Sequence, residues 1–392
     1  MAEIADVVIV GGGIIGIALA YELARRTLRV TLLEAHALGS GVTGSGFAWV
    51  NATSKADRDE DYFQLNAASV RLYDEFLRLH HAEPVGINAG GTLLWADTPE
   101  QKERLKKQAE QLLAYDYLLS HLDITEMEAL EPHIQFRSPT KGEAEGWYCP
   151  ADKWVEPSRL VRFLADYARR NNADIREYTP VREFSLDTLG NISLIKTDKA
   201  QIATRTLIIA AGAQTPALLS LLKPDQTLTQ CVPLKRVPGI LTDTGNQTAQ
   251  GLAQRILYPP DRGGLHLRPT STGGLLIGAD DTDALVTEAP LPPARLQEIG
   301  RTLLVRASDW LPTLPIADAG RHLSTYICNR PIPQDDRPIV GRLPNISGVF
   351  VAVTHSGVTL APLLASLLAE EIVLKHIPPL LNPYRPNRFL RG

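Results

Sequence analysis

The strongest pattern in the chain is an alternation of strand and helix spacing at its start. Asp6 to Val10 is β-branched, a glycine run follows, Ile14 to Arg26 repeats apolar residues at helical spacing, and Arg29 to Glu34 is β-branched again. That order predicts a βαβ unit. The alternation then stops. Residues 60–82 and 98–122 read as charged amphipathic helices, separated by INAGGTLLWAD, a short strand after a glycine turn. The stretch VEPSRL opens a further helix that runs to Arg170.

Downstream, Thr206 to Ile209 form a buried strand that ends in AAGA. Between Cys231 and Leu276, strand-like pieces alternate with the turn signals TDTG, PPDRGG and TSTGG, which predicts an antiparallel sheet. Val349 to Val353 are continuously apolar. A helix follows from Val358, with leucines at 360, 363, 364, 367 and 368, and Pro362 is tolerated in its first turn.

Composition narrows the picture by exclusion. The 392 residues allow two or three domains, and 44% hydrophobic with 21% charged residues is an ordinary globular balance. Lys and Arg total 40 against 44 Asp and Glu, so nucleic acid is not expected as a partner. The apolar run VVIVGGGIIGIALA carries glycines and follows no basic segment. It reads as neither a signal peptide nor a spanning helix, and a cytoplasmic protein without a transmembrane segment is expected. Cys149, Cys231 and Cys328 lie too far apart for a metal-ligand pattern, and their odd number suggests no disulfide framework. The nine histidines form no paired zinc signature.

The chemistry begins at the glycine run. Gly11, Gly13 and Gly16 have G-x-G-x-x-G spacing directly after a strand and at the opening of a helix. The first allows a tight turn, the second lets backbone approach a pyrophosphate, and the third lets helix and strand pack closely. The phosphates then face a helix N-terminus, where N–H groups and the dipole favour negative charge. Glu34 ends the second strand, where a carboxylate accepts hydrogen bonds from ribose hydroxyls and disfavours a 2′-phosphate. The small-residue loop SGVTGSGFAWVN follows in place of further βα alternation, which suits a second, extended approach to a long cofactor.

These pieces resemble the D-amino acid oxidase superfamily of FAD-dependent amine oxidoreductases, which includes glycine oxidase, sarcosine oxidase and D-amino acid dehydrogenase. The resemblance covers nearly the whole chain. It runs through GGGIIG, Glu34, the SGVTGSG loop, EALEP, WVEPSRL, Val181 in TPV, and LIIAAGA. It ends with HLRP, GGLLIG, RPIPQDDRPIVG and HSGVTLAP.

The resemblance implies an α/β Rossmann-like FAD-binding domain, discontinuous over 1–82, 146–225 and 326–392. It implies a second, α+β substrate domain on a large antiparallel sheet, over 83–145 and 226–325. On the cofactor side it implies Gly11, Gly13, Ile14, Ile15 and Gly16 in the loop, with Glu34 and Ala35 after the second strand. Thr43, Gly44, Ser45, Phe47 and Ala48 would line phosphates and flavin. Val181 would meet the adenine end through its backbone, and Ala211 and Gly212 would bring a strand end close. Gly357, Val358 and Thr359 would aim a helix N-terminus at the flavin, against an ordinary helix start capped by Ser356 or Thr359.

On the substrate side the resemblance assigns Arg330 to the substrate carboxylate, a group its planar guanidinium matches. The alternative is a salt bridge to Asp335 or Asp336. His266 stands where glycine oxidases carry a tyrosine; it is either a pocket residue or a sheet position, and Arg268 shares its face. Trp49 either reaches the substrate face or packs in the core, and His355 is a pocket or a turn residue. Cys328 matches the cysteine that carries covalent flavin in sarcosine oxidase, or it is an inert buried thiol. Leu276 stands where sarcosine oxidase has its oxygen-activating lysine, which leaves oxidase and dehydrogenase both open.

The expected reaction is oxidation of the CH–NH bond of a small amino acid or secondary amine by hydride transfer to FAD. Hydrolysis of the imine follows, and oxygen or another acceptor takes the electrons. The rivals are an NAD-dependent dehydrogenase and a non-catalytic or partner-dependent flavoprotein subunit of a larger dehydrogenase.

Overall fold

The structure, a computed structural model, describes residues 2–80, 85–136, 144–222, 226–261, 263–286 and 291–390. The chain folds as two compact units: Met1–Gly44, Pro157–Val237 and Asn329–Gly392 form the first, Ser45–Glu156 and Pro238–Cys328 the second. These units divide the chain after Gly44, Glu156, Val237 and Cys328. The strand Trp49–Val50 pairs with Lys153–Val155, which pairs in turn with Ile87–Asn88, and this small sheet ties residues on both sides of position 82 into one unit.

In the first unit the βαβ reading holds, with Val7–Val10 and Val30–Leu33 as parallel neighbours joined through the helix Ile14–Ala24. That helix is buried on almost every side. It packs on Pro157–Arg170 and on Gly357–Leu374, so an apolar sequence without a polar stripe is what its position demands. The six-stranded sheet runs Asp174–Arg176, Val30–Leu33, Val7–Val10, Leu207–Ile209, Val349–Val353, Ile339–Arg342, and only the last pair is antiparallel. Leu207–Ile209 lies on the opposite side of Val7–Val10 from Val30–Leu33. The crevice at the carboxyl ends of these central strands is the topological switch point where open α/β sheets bind ligands.

The helix expected from Val358 starts at Gly357, which places Pro362 beyond the first turn, where it forfeits its bond to the Val358 carbonyl. Among the described residues this is the one helix long and apolar enough to cross a membrane, and 56% of that window is buried inside the fold.

The second unit is built on an eight-stranded sheet in the order Ser324–Pro333, Leu234–Asp243, Leu275–Ala279, Leu265–Pro269, Ile256–Tyr258, Thr92–Ala96, Glu145–Cys149, Ser120–Leu122. The sheet is mixed rather than antiparallel throughout, because Ile256–Tyr258 and Thr92–Ala96 pair in parallel. The helix expected over 98–122 spans only Pro99–Ala114. Thr98 and Gln101 close a capping box at its start, Asp116 turns left-handed at φ 55°, and the rest becomes the strand Ser120–Leu122. The 41–48 loop contains one short helix, Val42–Ser45.

One face of the large sheet forms the unit's main core, with Leu93, Leu257, Leu265, Leu267, Leu275 and Ile277. By the period-2 alternation of a strand, Tyr258, His266, Arg268, Leu276 and Gly278 occupy the other face.

Candidate functional site

In the first unit the glycine residues meet at the carboxyl edge of the parallel sheet. Gly11 has φ +114°, a region open to glycine, and a Cβ there would lie 2.5 Å from the Ala210 carbonyl oxygen. A Cβ on Gly16 would be driven into the carbonyl of Gly11. The loop therefore presses on the AAGA turn that carries Ala211 and Gly212. Gly13 caps the first helix with no side-chain hydrogen bond and no acid follows in its first turn. Thr43 closes over this turn, its Oγ1 accepting from the Ile14 N–H at 3.0 Å.

Glu34 is turned back onto the loop. Its carboxylate accepts from the Gly12 N–H at 2.6 Å and from the His36 N–H at 2.8 Å, which fixes it at the strand end and leaves acceptor capacity for hydroxyls. Ala35 beside it is exposed. Thr179 donates its N–H to the Glu34 carbonyl at 2.8 Å, which brings the start of the Val181–Leu186 strand beside the acid.

The second helix start lies against the first. A Cβ on Gly357 would stand 3.8 Å from Ile14 and 3.9 Å from Ile15, and the Ser356 side chain makes no cap hydrogen bond. Val358 is half-buried, Thr359 is buried and His355 is exposed in the preceding turn. Two helix N-termini whose own N-cap residues make no side-chain cap thus adjoin at one sheet edge, a positive environment for phosphate and carbonyl oxygens. The Oγ1 atoms of Thr215 and Thr354, just beyond two strands of the same sheet, are buried without a hydrogen-bond partner among the described residues. The glycine cradle, the helix starts and these orphaned hydroxyls fit a dinucleotide.

Arg330 lies half-buried on Ser324–Pro333, its Nε donating to the Val237 carbonyl at 3.4 Å. The acids weighed as its partners have other cations: Arg388 binds Asp335 at 2.8 Å and Lys235 binds Asp336 at 2.9 Å. Cys328, earlier on the same strand, is a buried thiol.

The second unit brings Phe47, Ala48, Trp49, His266 and Arg268 together, and leaves Ser45 half-buried at the end of the short helix. Each residue of the Phe47–Trp49 segment has its own anchor. The Phe47 carbonyl accepts from Arg268 Nε at 2.6 Å, and the Ala48 carbonyl accepts from the Val155 N–H at 3.1 Å. The Trp49 Nε1–H donates to Thr92 at 3.0 Å and to Asp152 at 3.1 Å. Ala48 has φ 59°, a left-handed conformation that costs about 1 kcal/mol and persists because its neighbours hold it.

His266 donates from Nδ1 to the Gly264 carbonyl at 3.0 Å, so in the neutral form of the ring Nε2 carries the lone pair. The ring stacks on Tyr258 at 5.4 Å and meets the edge of Phe47 at 4.8 Å, and Tyr258 lies 4.9 Å from Trp49. Arg268 is buried, over Trp154 at 4.8 Å and beside Glu156 at 3.5 Å, and burial pulls its pKa below the ordinary guanidinium value. These contacts place Arg268 as an anchor of the Phe47 segment.

Asp152, Thr53, Thr92, Tyr117 and Tyr258 belong to this cluster and no local pattern announced them. Asp152 sits in a CPADK turn that reads as surface; only its place between two tryptophan-bearing strands hints at burial. Its carboxyl is pushed up to about 6 by burial, against the hydrogen bonds of Tyr117, Thr92, Thr53 and Trp49 that lower it.

Known proteins resemble the chain along nearly its whole length. Residues 6–371 match the family model for DAO, FAD dependent oxidoreductase. Glycine oxidase of Geobacillus kaustophilus (strain HTA426) is 28% identical over 397 residues, covering 98% of this chain and 97% of that protein. The crystal structure of glycine oxidase from Geobacillus kaustophilus superposes with TM-score 0.79 at 25% identity over 99% of each chain. Glycine oxidase of Bacillus licheniformis is 26% identical over 376 residues, covering 94% of this chain and 93% of that protein. L-proline dehydrogenase from P. horikoshii shares the fold, with TM-score 0.82 at 21% identity over 100% of this chain and 99% of that one.

Proposed function

The chain belongs to the FAD dependent oxidoreductase family, as an enzyme acting on amino acids or amines, and from that premise we propose that it oxidises the CH–NH bond of a small amino acid or secondary amine to an imine. Water then hydrolyses the imine to a carbonyl compound and ammonia, or an amine where the substrate is a secondary amine. The observation that carries this reading is the cradle at the sheet edge, where Gly11 presses on Ala210 and two helix starts adjoin. The NAD-dependent rival is not favoured by the comparisons.

FAD would supply the hydride acceptor, with oxygen or another acceptor taking the electrons onward. Gly11, Gly13, Ile14, Ile15 and Gly16 would hold its pyrophosphate, Glu34 would take the ribose hydroxyls, and the Gly357 helix start would stabilise negative charge on the flavin. FAD is held noncovalently, and the buried Cys328 thiol stays inert.

Arg330 binds the substrate carboxylate as a charged fork. The lone pair at His266 Nε2 receives an amine N–H, and Phe47 and Trp49 supply an apolar wall that excludes water and orients the substrate carbon. Transfer needs the neutral amine, so the rate rises with pH through the substrate amine pKa.

The test is the visible spectrum of the purified protein under anaerobic conditions while D-amino acids, glycine, sarcosine and L-proline are added in turn. Bleaching of a flavin band by one of them is expected. No flavin band after FAD is supplied overturns the cofactor reading, and a band that none of them bleaches moves the substrate outside this class.

A further inference from the structure

Asp152 is fully buried on the same unit as Trp49 and His266, yet no cation pairs with it among the described residues. Neutral donors hold it instead. Thr53 donates at 2.8 and 2.9 Å, Tyr117 at 2.6 Å and the Trp49 indole at 3.1 Å, while the Tyr117 oxygen also accepts from the Ala52 N–H at 3.3 Å. Lys153, its neighbour in sequence, is committed elsewhere, to the Ala151 carbonyl at 2.7 Å and to Asp74 at 2.8 Å.

A buried carboxylate without a cation is a costly way to fill a core, since an apolar residue of similar volume packs there without desolvating an acid. What a carboxylate adds is direction. Its lone pairs accept several donors at fixed angles, and here those donors come from the segment after Trp49, from the end of the Pro99–Ala114 helix region, and from Trp49 itself. The Trp49 ring, so held, lies against Tyr258, Tyr258 stacks on His266 with 17° between planes, and His266 meets Phe47 edge-on.

We propose that Asp152 is a positioning residue for the substrate wall: its carboxylate fixes the Trp49 indole and, through the stacked rings of Tyr258 and His266, the orientation of the imidazole offered to the substrate. This rests on the reading of His266 and Trp49 as substrate-side residues. Asp152, fully buried and bonded to the Trp49 indole, acts through Trp49.

Asp152→Asn keeps the shape and replaces one acceptor oxygen with a donor that faces other donors. Two readouts on the holoprotein test the proposal. The first is the indole N–H spectrum of the five tryptophans, with the Trp49 signal assigned by its loss in Trp49→Phe. Asp152→Asn is expected to move that signal and speed its hydrogen exchange, and an unchanged signal overturns the proposal.

The second is a double-mutant cycle on kcat/KM with whichever substrate bleaches the flavin. Asp152→Asn is expected to cost roughly 10- to 100-fold in the native background, the scale of a small misplacement. In the Trp49→Phe background, which has no indole N–H to orient, it is expected to cost less than about 2-fold. Equal losses in both backgrounds assign Asp152 a purely structural role and overturn the proposal. If Asp152→Asn does not fold, Tyr117→Phe removes one donor from the same carboxylate and is judged by the same two criteria. A native protein whose flavin no substrate bleaches refutes the proposed function instead, and the indole readout still decides whether Asp152 holds Trp49.

Discussion

Gly11 and Ala210 are packed backbone to backbone: a Cβ on Gly11 would stand 2.5 Å from the Ala210 carbonyl oxygen and 2.7 Å from its carbon. Backbone has no rotamer by which to yield, and φ +114° is itself strained for any residue with a side chain. Gly11→Ala is therefore expected to open the crevice between the Val7–Val10 and Leu207–Ile209 strands. Purified Gly11→Ala should carry little flavin, read as the ratio of absorbance at the flavin band to that of the protein. Full flavin content in this variant would place the cofactor elsewhere.

Arg330 is expected to bind the substrate carboxylate, whose two oxygens its planar guanidinium matches. Removing one partner of a buried charge pair costs roughly 2 to 5 kcal/mol. Arg330→Ala should weaken binding of a carboxylate substrate by that amount and leave a neutral amine analogue almost unaffected. The comparison is made by anaerobic flavin titration with both ligands. Equal losses for the two would assign Arg330 to the fold rather than to the carboxylate.

What could be read from sequence follows a physical division. Gly11 and Gly16 are legible because close backbone approach there leaves no room for a side chain. The flanking strands and helix are legible because their periods are local. The end of the Pro99–Ala114 helix was not, since Asp116 turns left-handed without a glycine to signal it. The parallel pairing of Ile256–Tyr258 with Thr92–Ala96 and the second unit's claim on Trp49–Val50 depend on partners far along the chain. Asp152 is the extreme case, because its donors Trp49, Thr53 and Tyr117 meet only in the folded state.

The Asp152 carboxyl is pushed up to about 6 from 3.8 by burial, its hydrogen bonds notwithstanding. A group whose pKa is higher in the fold binds its proton more tightly there. It contributes stability that is fully present below the unfolded-state value and is lost as pH rises through the folded one. A shift of about two units corresponds to about 3 kcal/mol. The stability of the native holoprotein, relative to Asp152→Asn, should fall by about that amount as pH rises from 3.8 to about 6 and then level off. Denaturant titrations of both proteins across that window check it. A difference that grows with pH would mean that the carboxylate is stabilised as the anion.

Gly278 makes room for the His266 imidazole from the adjacent strand. The two residues are paired in register, and a Cβ on Gly278 would lie 2.6 Å from His266 Nε2 and 2.8 Å from Leu241 Cδ2. Gly278→Ala must displace one of these side chains. The ring is tied by its Nδ1–H to the Gly264 carbonyl and stacked on Tyr258, so it has little freedom to move without losing both contacts. Overpacking of this kind costs about 1 to 3 kcal/mol of stability. Because Nε2 is the atom displaced, the rate of flavin bleaching by substrate should fall on the order of 10- to 100-fold. Flavin content should stay at the native level, in contrast to Gly11→Ala. If Gly278→Ala behaved in the opposite way, losing flavin while bleaching normally per flavin bound, His266 would belong to the cofactor's surroundings and not to the substrate's.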